Sequence, residues 1–279
     1  MPSPSAAGLV GTTFDYLARF RVAQFVSSND VMSYLTCYNG LQKLKRYHPS
    51  LTDLYFLWME QIHAYIHDSS AQVSSLCEIV VYLAKLDDIA RTRIQKENFN
   101  IDSLFGPVPK EIIEDLEQLI RVFEETFMIP EIIHSKSEVV FNPNFGVFFL
   151  LVSGADADLF IDGTLYDFKT SKSNKLKQKD NLQLSGYYVL NELVIATISD
   201  DLGFRYTHME IEKLVFYKAG FGEVEYYDVK KHLPYKNVKP KLKELAEHFK
   251  ENKGRLDFAF MADIDTAKEI LEQIRTEEI

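Results

Sequence analysis

The sequence predicts a protein of the α/β (α+β) class, in which an all-α region precedes a central mixed β-sheet flanked by helices. Three observations support this prediction. Apolar residues recur with helical spacing through most of the first 135 residues. From residue 138 onward, short runs rich in β-branched and aromatic residues alternate with turn residues. Near the middle of the chain, an Asp-Gly pair separates two alternating runs, which is the strongest short-range signal for a β-hairpin.

The first region, residues 1–135, is predicted to consist essentially of helices. Apolar stripes with helical spacing predict these helices at residues 12–26, 30–46, 51–67, 71–94 and 109–127. Pro109 is expected at the first position of the last helix, where its missing N–H has no intrahelical partner to lose. Residues 129–136 break the helical pattern and lead into the second region.

The second region, residues 136–279, is predicted to be an α/β core that begins with strands. A β-rich run at residues 138–141 is joined to the next one by the turn-prone Asn142-Pro143-Asn144 and Gly146. The remaining predicted elements are a strand at 147–153, the hairpin within 154–170, a helix at 180–197, strands at 209–217 and 223–229, and helices at 239–253 and 265–277.

The hairpin places several charged side chains on one face of the sheet. If residues 162–163 form its two-residue loop, Asp158 faces Asp167 on the neighbouring strand. The same register places Asp156 opposite Lys169. Because side chains alternate between the two faces of a strand, these four side chains project to one side and apolar residues project to the other. The sequence therefore predicts a core on one face of the hairpin and a site on the other.

Like charges directly opposite each other on paired strands destabilise a hairpin, so the pair Asp158 and Asp167 requires compensation. A divalent cation provides it, since Mg²⁺ binds one or two carboxylates together with waters and phosphate oxygens. Beside them, Lys169 can steer a phosphate or orient the attacking water. These residue types in this pattern are typical of a metal-dependent phosphodiesterase.

Asp158 and the D-x-K sequence of residues 167–169 resemble the acidic residue and the D-x-K of the PD-(D/E)xK nuclease superfamily. Downstream, residues 183–187 are similar to the Q-x-x-x-Y motif of its RecB-like and lambda-exonuclease-like branch. Near the N-terminus, residues 11–15 resemble the G-T-x-x-H helix opening of that branch, with Asp15 in place of the metal-binding His. The resemblance covers residues 137–196 and, more loosely, residues 11–20.

The segment around Asp15 also has a purely structural interpretation. Thr12 and Asp15 fit a capping box, in which Asp15 satisfies a backbone N–H at the start of a helix beginning at residue 12. The sequence leaves both alternatives open.

The resemblance implies a restriction-endonuclease-like core and a nuclease that depends on Mg²⁺ or Mn²⁺. The metal ligands it implies are Asp158, Asp167, the backbone carbonyl of Phe168, and Asp156 or Asp15. Lys169 is expected to position or help deprotonate the attacking water and to stabilise charge on the phosphate. Gln183 and Tyr187, one turn apart on the helix that follows, are expected to hold the substrate backbone or the geometry of the site.

A run of lysines follows the predicted catalytic strand. The net charge of −10 argues against a protein that coats nucleic acid indiscriminately, because Lys and Arg dominate phosphate binding. The local run lies where a phosphate backbone would pass, although a solvated face is the ordinary explanation of such a run. Its members, expected to bind nucleic acid, are Lys172, Lys175, Lys177 and Lys179. If they do not, the alternative path lies in the helical region around Arg91, Arg93 and Lys96.

Composition indicates a cytoplasmic, soluble protein without membrane association, and the resemblance implies nucleic acid as its partner. The two cysteines, Cys37 and Cys77, lie in apolar helical contexts without metal-ligand spacing, which indicates a reducing compartment. We expect DNA rather than RNA as the substrate, in a role compatible with phage defence or with recombination and repair. A homodimer is compatible with the sequence, which does not distinguish duplex from single strand or end from interior.

Other functions are compatible with parts of the sequence. The same fold without catalysis would be a nucleic-acid-binding or protein-interaction module, but Asp158, Asp167 and Lys169 are all intact. An ordinary sheet with solvated carboxylates is a third interpretation. In the helical region, His63 and His67 have the i, i+4 spacing of zinc ligands but lack a third ligand. Glu78 is a candidate helical carboxylate of the metal site, with a solvated position as the alternative.

Overall fold

The computed structural model describes residues 4–33, 35–92, 104–145, 148, 152, 154–197 and 209–251. The chain divides into two compact units. The first comprises Met1–Phe141, Phe168–Lys172 and Tyr217–Glu223. The second comprises Asn142–Asp167, Ser173–Phe216 and Val224–Ile279. Within the described ranges, each helix is too short or too polar to cross a membrane.

Among the described residues, the α-helices of the first unit are α1 Pro4–Val26, α2 Thr36–Leu44, α3 Ser50–His67, α4 Cys77–Arg91 and α5 Lys110–Thr126. This confirms the predicted helical N-terminal region. The helices expected at 30–46 and 71–94 are shorter, because single 3₁₀ turns at Asp30–Met32 and Val73–Leu76 precede α2 and α4. In the second turn, the hydroxyl of Ser75 donates to the carbonyl of Gln72 at 2.7 Å, which competes with helical hydrogen bonding. Pro109 precedes α5 in an extended conformation instead of being its first residue.

Helix α1 begins at Pro4, well before the predicted start at residue 12. Pro is favoured at a first helical position, and the small residues that follow it allow the helix to form without an apolar stripe. Thr12 and Asp15 therefore lie inside the helix, so the predicted capping box is wrong and residues 11–15 are not a helix opening. The carbonyl of Asp15 accepts a hydrogen bond from the side chain of Arg19 at 3.0 Å, one turn further along.

Two contacts fix the packing of the helices in the first unit. A Cβ atom on Gly40 of α2 would lie 1.9 Å from the carbonyl oxygen of Leu86 on α4, so these helices approach as closely as only glycine permits. The buried amide of Gln24 on α1 joins the end of α3 to the loop after it. Its Nε2 atom donates to the carbonyls of Tyr65, Asp68 and Ala71 at 3.3, 2.6 and 3.0 Å.

In the described part of the chain, the sheet has five strands whose spatial order follows the chain. They are β1 Val139–Phe141, β2 Leu159–Ile161, β3 Thr164–Lys169, β4 Lys213–Lys218 and β5 Glu223–Asp228. Strands β2 and β3 are antiparallel. The carbonyl of Gly163, at the start of β3, accepts from the N–H of Glu212 at 2.7 Å. At the other end, the carbonyl of Lys169 accepts from the N–H of Ala219 at 3.0 Å. The start of β3 is hydrogen-bonded to the segment just before β4, and the end of β3 to the residue just after β4. The two strands are therefore parallel, and the sheet is mixed, as predicted.

The strand predicted at residues 147–153 is wrong at the two positions that the structure describes. Phe148 is helical and its N–H donates to the carbonyl of Phe145 at 3.2 Å, whereas Val152 lies in a turn. The other residues of this prediction lie outside the described part of the chain. A short apolar run does not distinguish a buried strand from a buried helical turn, and both phenylalanines are fully buried.

With both bounds in the described residues, the second unit has the helices α6 Gln178–Thr197, the short α7 Val229–His232, and α8 Tyr235–Glu251. These confirm the predicted helices at 180–197 and 239–253, with α8 beginning a turn earlier. The ring of Phe148 packs beside that of Phe249 on α8, with centroids 6.0 Å apart. The helix predicted at 265–277 lies outside the described residues.

Candidate carboxylate site

The hairpin has the turn and the register that the sequence predicts. Asp162 and Gly163 have φ of 44° and 83°, and two successive positive φ values are what a type I′ turn requires. The observed pairs are Ile161 with Thr164, Phe160 with Leu165, and Leu159 with Tyr166. Both faces of the hairpin are buried at its centre, because Phe160 and Leu165, on the same face as Asp158 and Asp167, are 3% and 0% exposed. The predicted division into a core face and a site face is therefore wrong at these two positions.

Asp158 lies immediately before β2 and is hydrogen-bonded to both neighbouring strands. Its N–H donates to the carbonyl of Tyr166, the residue before Asp167, at 3.3 Å. Its own carbonyl accepts from the N–H of Asn142 at 3.3 Å, just after β1. Asp158 and Asp167 therefore stand on adjacent segments of one sheet. Asp167 is only 5% exposed, which makes its charge costly unless it is compensated.

Tyr187 on α6 is held in a fixed position by two contacts. Its ring stacks on that of Phe145, with centroids 5.2 Å apart and an angle of 20° between the planes. Its hydroxyl oxygen accepts a hydrogen bond of 2.8 Å from the Nε2 atom of Gln183. The predicted common face of Gln183 and Tyr187 is thus confirmed. Because the Tyr187 oxygen is an acceptor in this bond, its own proton can point to another acceptor.

The electrostatic environment of Tyr187 connects α6 with the hairpin. Burial raises the pKa of Tyr187, and the negative charges of Asp167, Asp156 and Asp158 raise it further. The hydrogen bond from Gln183 partly offsets these effects by lowering the pKa. The charges of three carboxylates therefore act on one buried hydroxyl. The backbone of Asp156 forms an antiparallel bridge with that of Asn144.

Phe168 and Lys169 follow Asp167 on β3 and belong to the first unit. The ring of Phe168 packs against Phe14, Phe123 and Phe127, with centroids 5.9, 5.8 and 5.5 Å away. The side chain of Phe168 is thus part of a core, which leaves only its backbone carbonyl for the predicted ligand role. Lys169 is half-buried, and alternation along β3 places it on the same face of the strand as Asp167.

The other predicted residues occupy the following positions. Asp15 is half-buried on α1 of the first unit, whereas the three carboxylates lie in the second, so its ligand role stays a prediction. The predicted basic residues after β3 are Lys172, Lys175, Lys177 and Lys179. All four are exposed, as binding to nucleic acid requires, and their role also stays a prediction.

The alternative residues of the helical region have partners or positions of their own. The exposed rings of His63 and His67 lie 4.6 Å apart, and His67 hydrogen-bonds to the side chain of Asn29 at 3.2 Å. Glu78 is exposed and accepts a hydrogen bond of 3.0 Å from the hydroxyl of Tyr82. Arg91 forms an ion pair of 2.5 Å with Asp87. Arg93 and Lys96 lie outside the described residues.

The donor set of the hairpin fits a hard divalent cation. Across the described ranges, no group of three His, Cys, Asp or Glu side chains converges closely enough to bind a metal ion. The shell expected here needs only two such side chains, Asp158 and Asp167, with the carbonyl of Phe168 and waters completing it. Mg²⁺ commonly keeps several waters and takes one or two carboxylates, so these oxygen donors suit it.

Phe145 belongs to this site although the sequence does not predict its role. It follows the Asn142-Pro143-Asn144 turn and is fully buried. An isolated aromatic residue after a turn carries no signal for the partner on which it stacks. Only the tertiary structure reveals that it holds the Tyr187 ring.

Comparison of the chain with models of known protein families, with curated proteins and with solved structures found no match. The likeness of the hairpin and helix motifs to a nuclease family stays a hypothesis. The geometry around Asp158, Asp167 and Tyr187 is what bears on function.

Proposed function

We propose that this protein is a metal-dependent nuclease that hydrolyses phosphodiester bonds, preferentially in DNA, with a restriction-endonuclease-like core. One observation carries the proposal. The charges of Asp156, Asp158 and Asp167 act together on the hydroxyl of Tyr187, which Gln183 holds by a hydrogen bond. This electrostatic effect supports a common role for two motifs that are separated in the sequence, the acidic hairpin and the Q-x-x-x-Y helix.

Asp158 and Asp167, the backbone carbonyl of Phe168, and Asp156 or Asp15 would hold Mg²⁺ or Mn²⁺. When bound, such a cation activates water as a nucleophile and neutralises charge on the phosphate. The like charges of the hairpin are the structural reason to expect a cation there. A carboxylate as deeply buried as Asp167, with two others nearby, gains most from a positive charge in its vicinity.

The remaining roles follow from the positions of the side chains. Lys169 shares a strand face with Asp167, so its ammonium group can position the attacking water and stabilise the charge on the phosphate. The negative charges of the carboxylates raise the pKa of Tyr187, so its hydroxyl keeps its proton and can donate a hydrogen bond to a carboxylate or to a phosphate oxygen. Gln183 orients that hydroxyl.

The direct test is incubation of the purified protein with linear, circular and single-stranded DNA and with RNA, in Mg²⁺, Mn²⁺ or EDTA. We expect cleavage with either metal and none in EDTA. Asp167→Asn should abolish cleavage while nucleic-acid binding stays equal or becomes slightly tighter, since one negative charge is removed. Asp162→Asn is the matched control, because it makes the same chemical change in the exposed turn of the same hairpin and Asn also accepts a positive φ.

Lys169→Ala should abolish cleavage while metal binding persists, because the carboxylates remain. If the unaltered protein cuts no nucleic acid with either metal, the nuclease proposal fails and a binding module of the same fold becomes the better explanation.

The lysine run is tested by one combined variant. Replacing Lys172, Lys175, Lys177 and Lys179 by Ser removes four exposed charges and no predicted metal ligand. Affinity for DNA should fall. For each lysine that binds a phosphate, the slope of log affinity against log salt should become shallower by up to about 0.9 on duplex DNA, or about 0.7 on single strands. An unchanged affinity and slope would show that the run is only a solvated face.

A further inference from the structure

Strand β5 forms one edge of the sheet. It is the last strand in the spatial order, and in the part of the chain that the structure describes no strand pairs with its outer side. Glu223 to Tyr227 are all exposed, so both faces of the strand contact solvent. An edge strand presents a row of backbone donors and acceptors to which another chain can add.

The hydrogen bonds at the ends of the hairpin show which residues face outward. The N–H of Val229, just after β5, donates to the carbonyl of Glu212, just before β4, at 2.9 Å. Residues of an antiparallel pair alternate between facing the partner strand and facing away. Glu225 and Tyr227 therefore bond toward β4, whereas Val224 and Tyr226 direct their N–H and carbonyl groups to the open edge.

One face of β5 carries large apolar side chains at the edge of the sheet. Val224 is 49% and Tyr226 is 66% exposed, and they share one face of the strand. Glu223 and Glu225 share the opposite face. The strand contains no Pro and no Lys, the residues by which natural edges commonly prevent the addition of another strand.

The charge of β5 indicates which kind of strand could add to its outer edge. Three of its residues, Glu223, Glu225 and Asp228, are acidic and none is basic. A second copy of β5 paired antiparallel would place Glu223 and Glu225 of both copies on the same face of the extended sheet, where their like charges repel. An added strand with Lys or Arg on one face and apolar residues on the other would instead be complementary on both faces.

We propose that the outer edge of β5 binds an extended, basic segment of a partner protein, which adds to the sheet as a sixth strand. Backbone hydrogen bonds to Val224 and Tyr226 supply affinity, as in other cases of strand addition. Contacts with the glutamates and with the exposed apolar face supply specificity. This inference does not depend on the proposed nuclease activity.

The probe is a fluorescein-labelled peptide of alternating Lys and Val, with a peptide of alternating Glu and Val as the control. Fluorescence anisotropy should show binding of the Lys peptide and not of the Glu peptide. Tyr226→Pro should weaken binding about tenfold or more, because it removes an outward N–H and blocks the edge. Tyr226→Thr keeps that N–H and favours a strand, so it should weaken binding less.

Tyr226→Pro leaves the charge unchanged, so a nonspecific attraction between the acidic protein and the peptide would survive it. Equal binding by Tyr226→Pro and the unaltered protein, or no binding of the Lys peptide, would overturn the proposal. If Tyr226→Pro does not fold by circular dichroism, Glu223→Lys with Glu225→Lys replaces it and should reverse the preference to the Glu peptide. A dimer of the unaltered protein that either variant dissociates would assign the edge to a second copy and equally overturn the proposal.

Discussion

The substitution Asp167→Asn should stabilise the metal-free protein, although it alters a buried residue. Asp167 is 5% exposed and lies on a strand paired with the segment that carries Asp158. The observed pairs end at Leu159 with Tyr166, and the next residues on the two segments are Asp158 and Asp167. Opposite or diagonal side chains on neighbouring strands have Cβ atoms about 5–8 Å apart. Two unit charges at about 5–8 Å repel by about 2–3 kcal/mol at an effective dielectric constant of about 20, and by about 0.5–0.8 kcal/mol in water. The asparagine variant keeps the shape and removes this repulsion, so its free energy of unfolding in EDTA should rise by about 1–3 kcal/mol.

Magnesium should reverse the order of stability. A ligand that binds only the folded protein adds about 4.1 kcal/mol at a concentration about 1,000 times its Kd. The unaltered protein should gain this amount, and Asp167→Asn should gain much less because it lacks one ligand. Urea unfolding of both proteins, each in EDTA and in Mg²⁺, measures the four free energies. Asp162→Asn, exposed in the turn, should change each by no more than about 0.5 kcal/mol.

A variant that is less stable than the unaltered protein in EDTA would refute this prediction. In that case the hydrogen bonds accepted by the Asp167 carboxylate outweigh the repulsion from its neighbours, and the carboxylate has a structural role. A gain in stability from Mg²⁺ that is equal in both proteins would place the cation elsewhere.

Three further substitutions or reactions test the first unit. Gln24→Leu removes the donor to three carbonyls, so the free energy of unfolding measured in urea should decrease by about 2–4 kcal/mol. A decrease under about 1 kcal/mol would contradict the role of this amide. Gly40→Ala should lower the free energy of unfolding by about 2–3 kcal/mol, because its Cβ would meet the backbone of α4. The control Gly186→Ala on α6 has open space around it, so it should leave the free energy of unfolding unchanged or raise it by up to about 1 kcal/mol. Burial raises the pKa of Cys37 to about 11 and that of Cys77 to about 12. At pH 8 both thiols therefore stay protonated, and they should react with Ellman's reagent only in concentrated urea. Fast reaction of the native protein would contradict their burial.

The hairpin could be predicted from sequence because its determinants are local. The Asp162-Gly163 turn fixes the register, and the two-residue period then assigns every side chain to a face. The pairing of Gln183 with Tyr187 is equally local, since residues four apart on a helix are neighbours.

The features that could not be predicted from sequence depend on tertiary packing or lack a pattern. Helix α1 begins at Pro4, and its first turns consist mainly of small residues, whose sequence shows no apolar stripe with helical spacing. The apolar run that contains Phe148 suits a strand as well as a helical turn, and packing against Phe249 decides between them. The stack of Phe145 on Tyr187 joins residues from distant parts of the chain, which no spacing rule connects.

The parallel pairing of β3 with β4 has a consequence for the order of folding. The β2–β3 hairpin closes through a two-residue turn, whereas β4 can join β3 only after the crossover that contains α6 has formed. Local contacts form early because they require little loop-closure entropy. The repulsion between Asp158 and Asp167 is therefore present before most of the sheet exists and raises the barrier to folding. Mg²⁺ should accordingly increase the rate of folding of the unaltered protein, as well as slowing its unfolding.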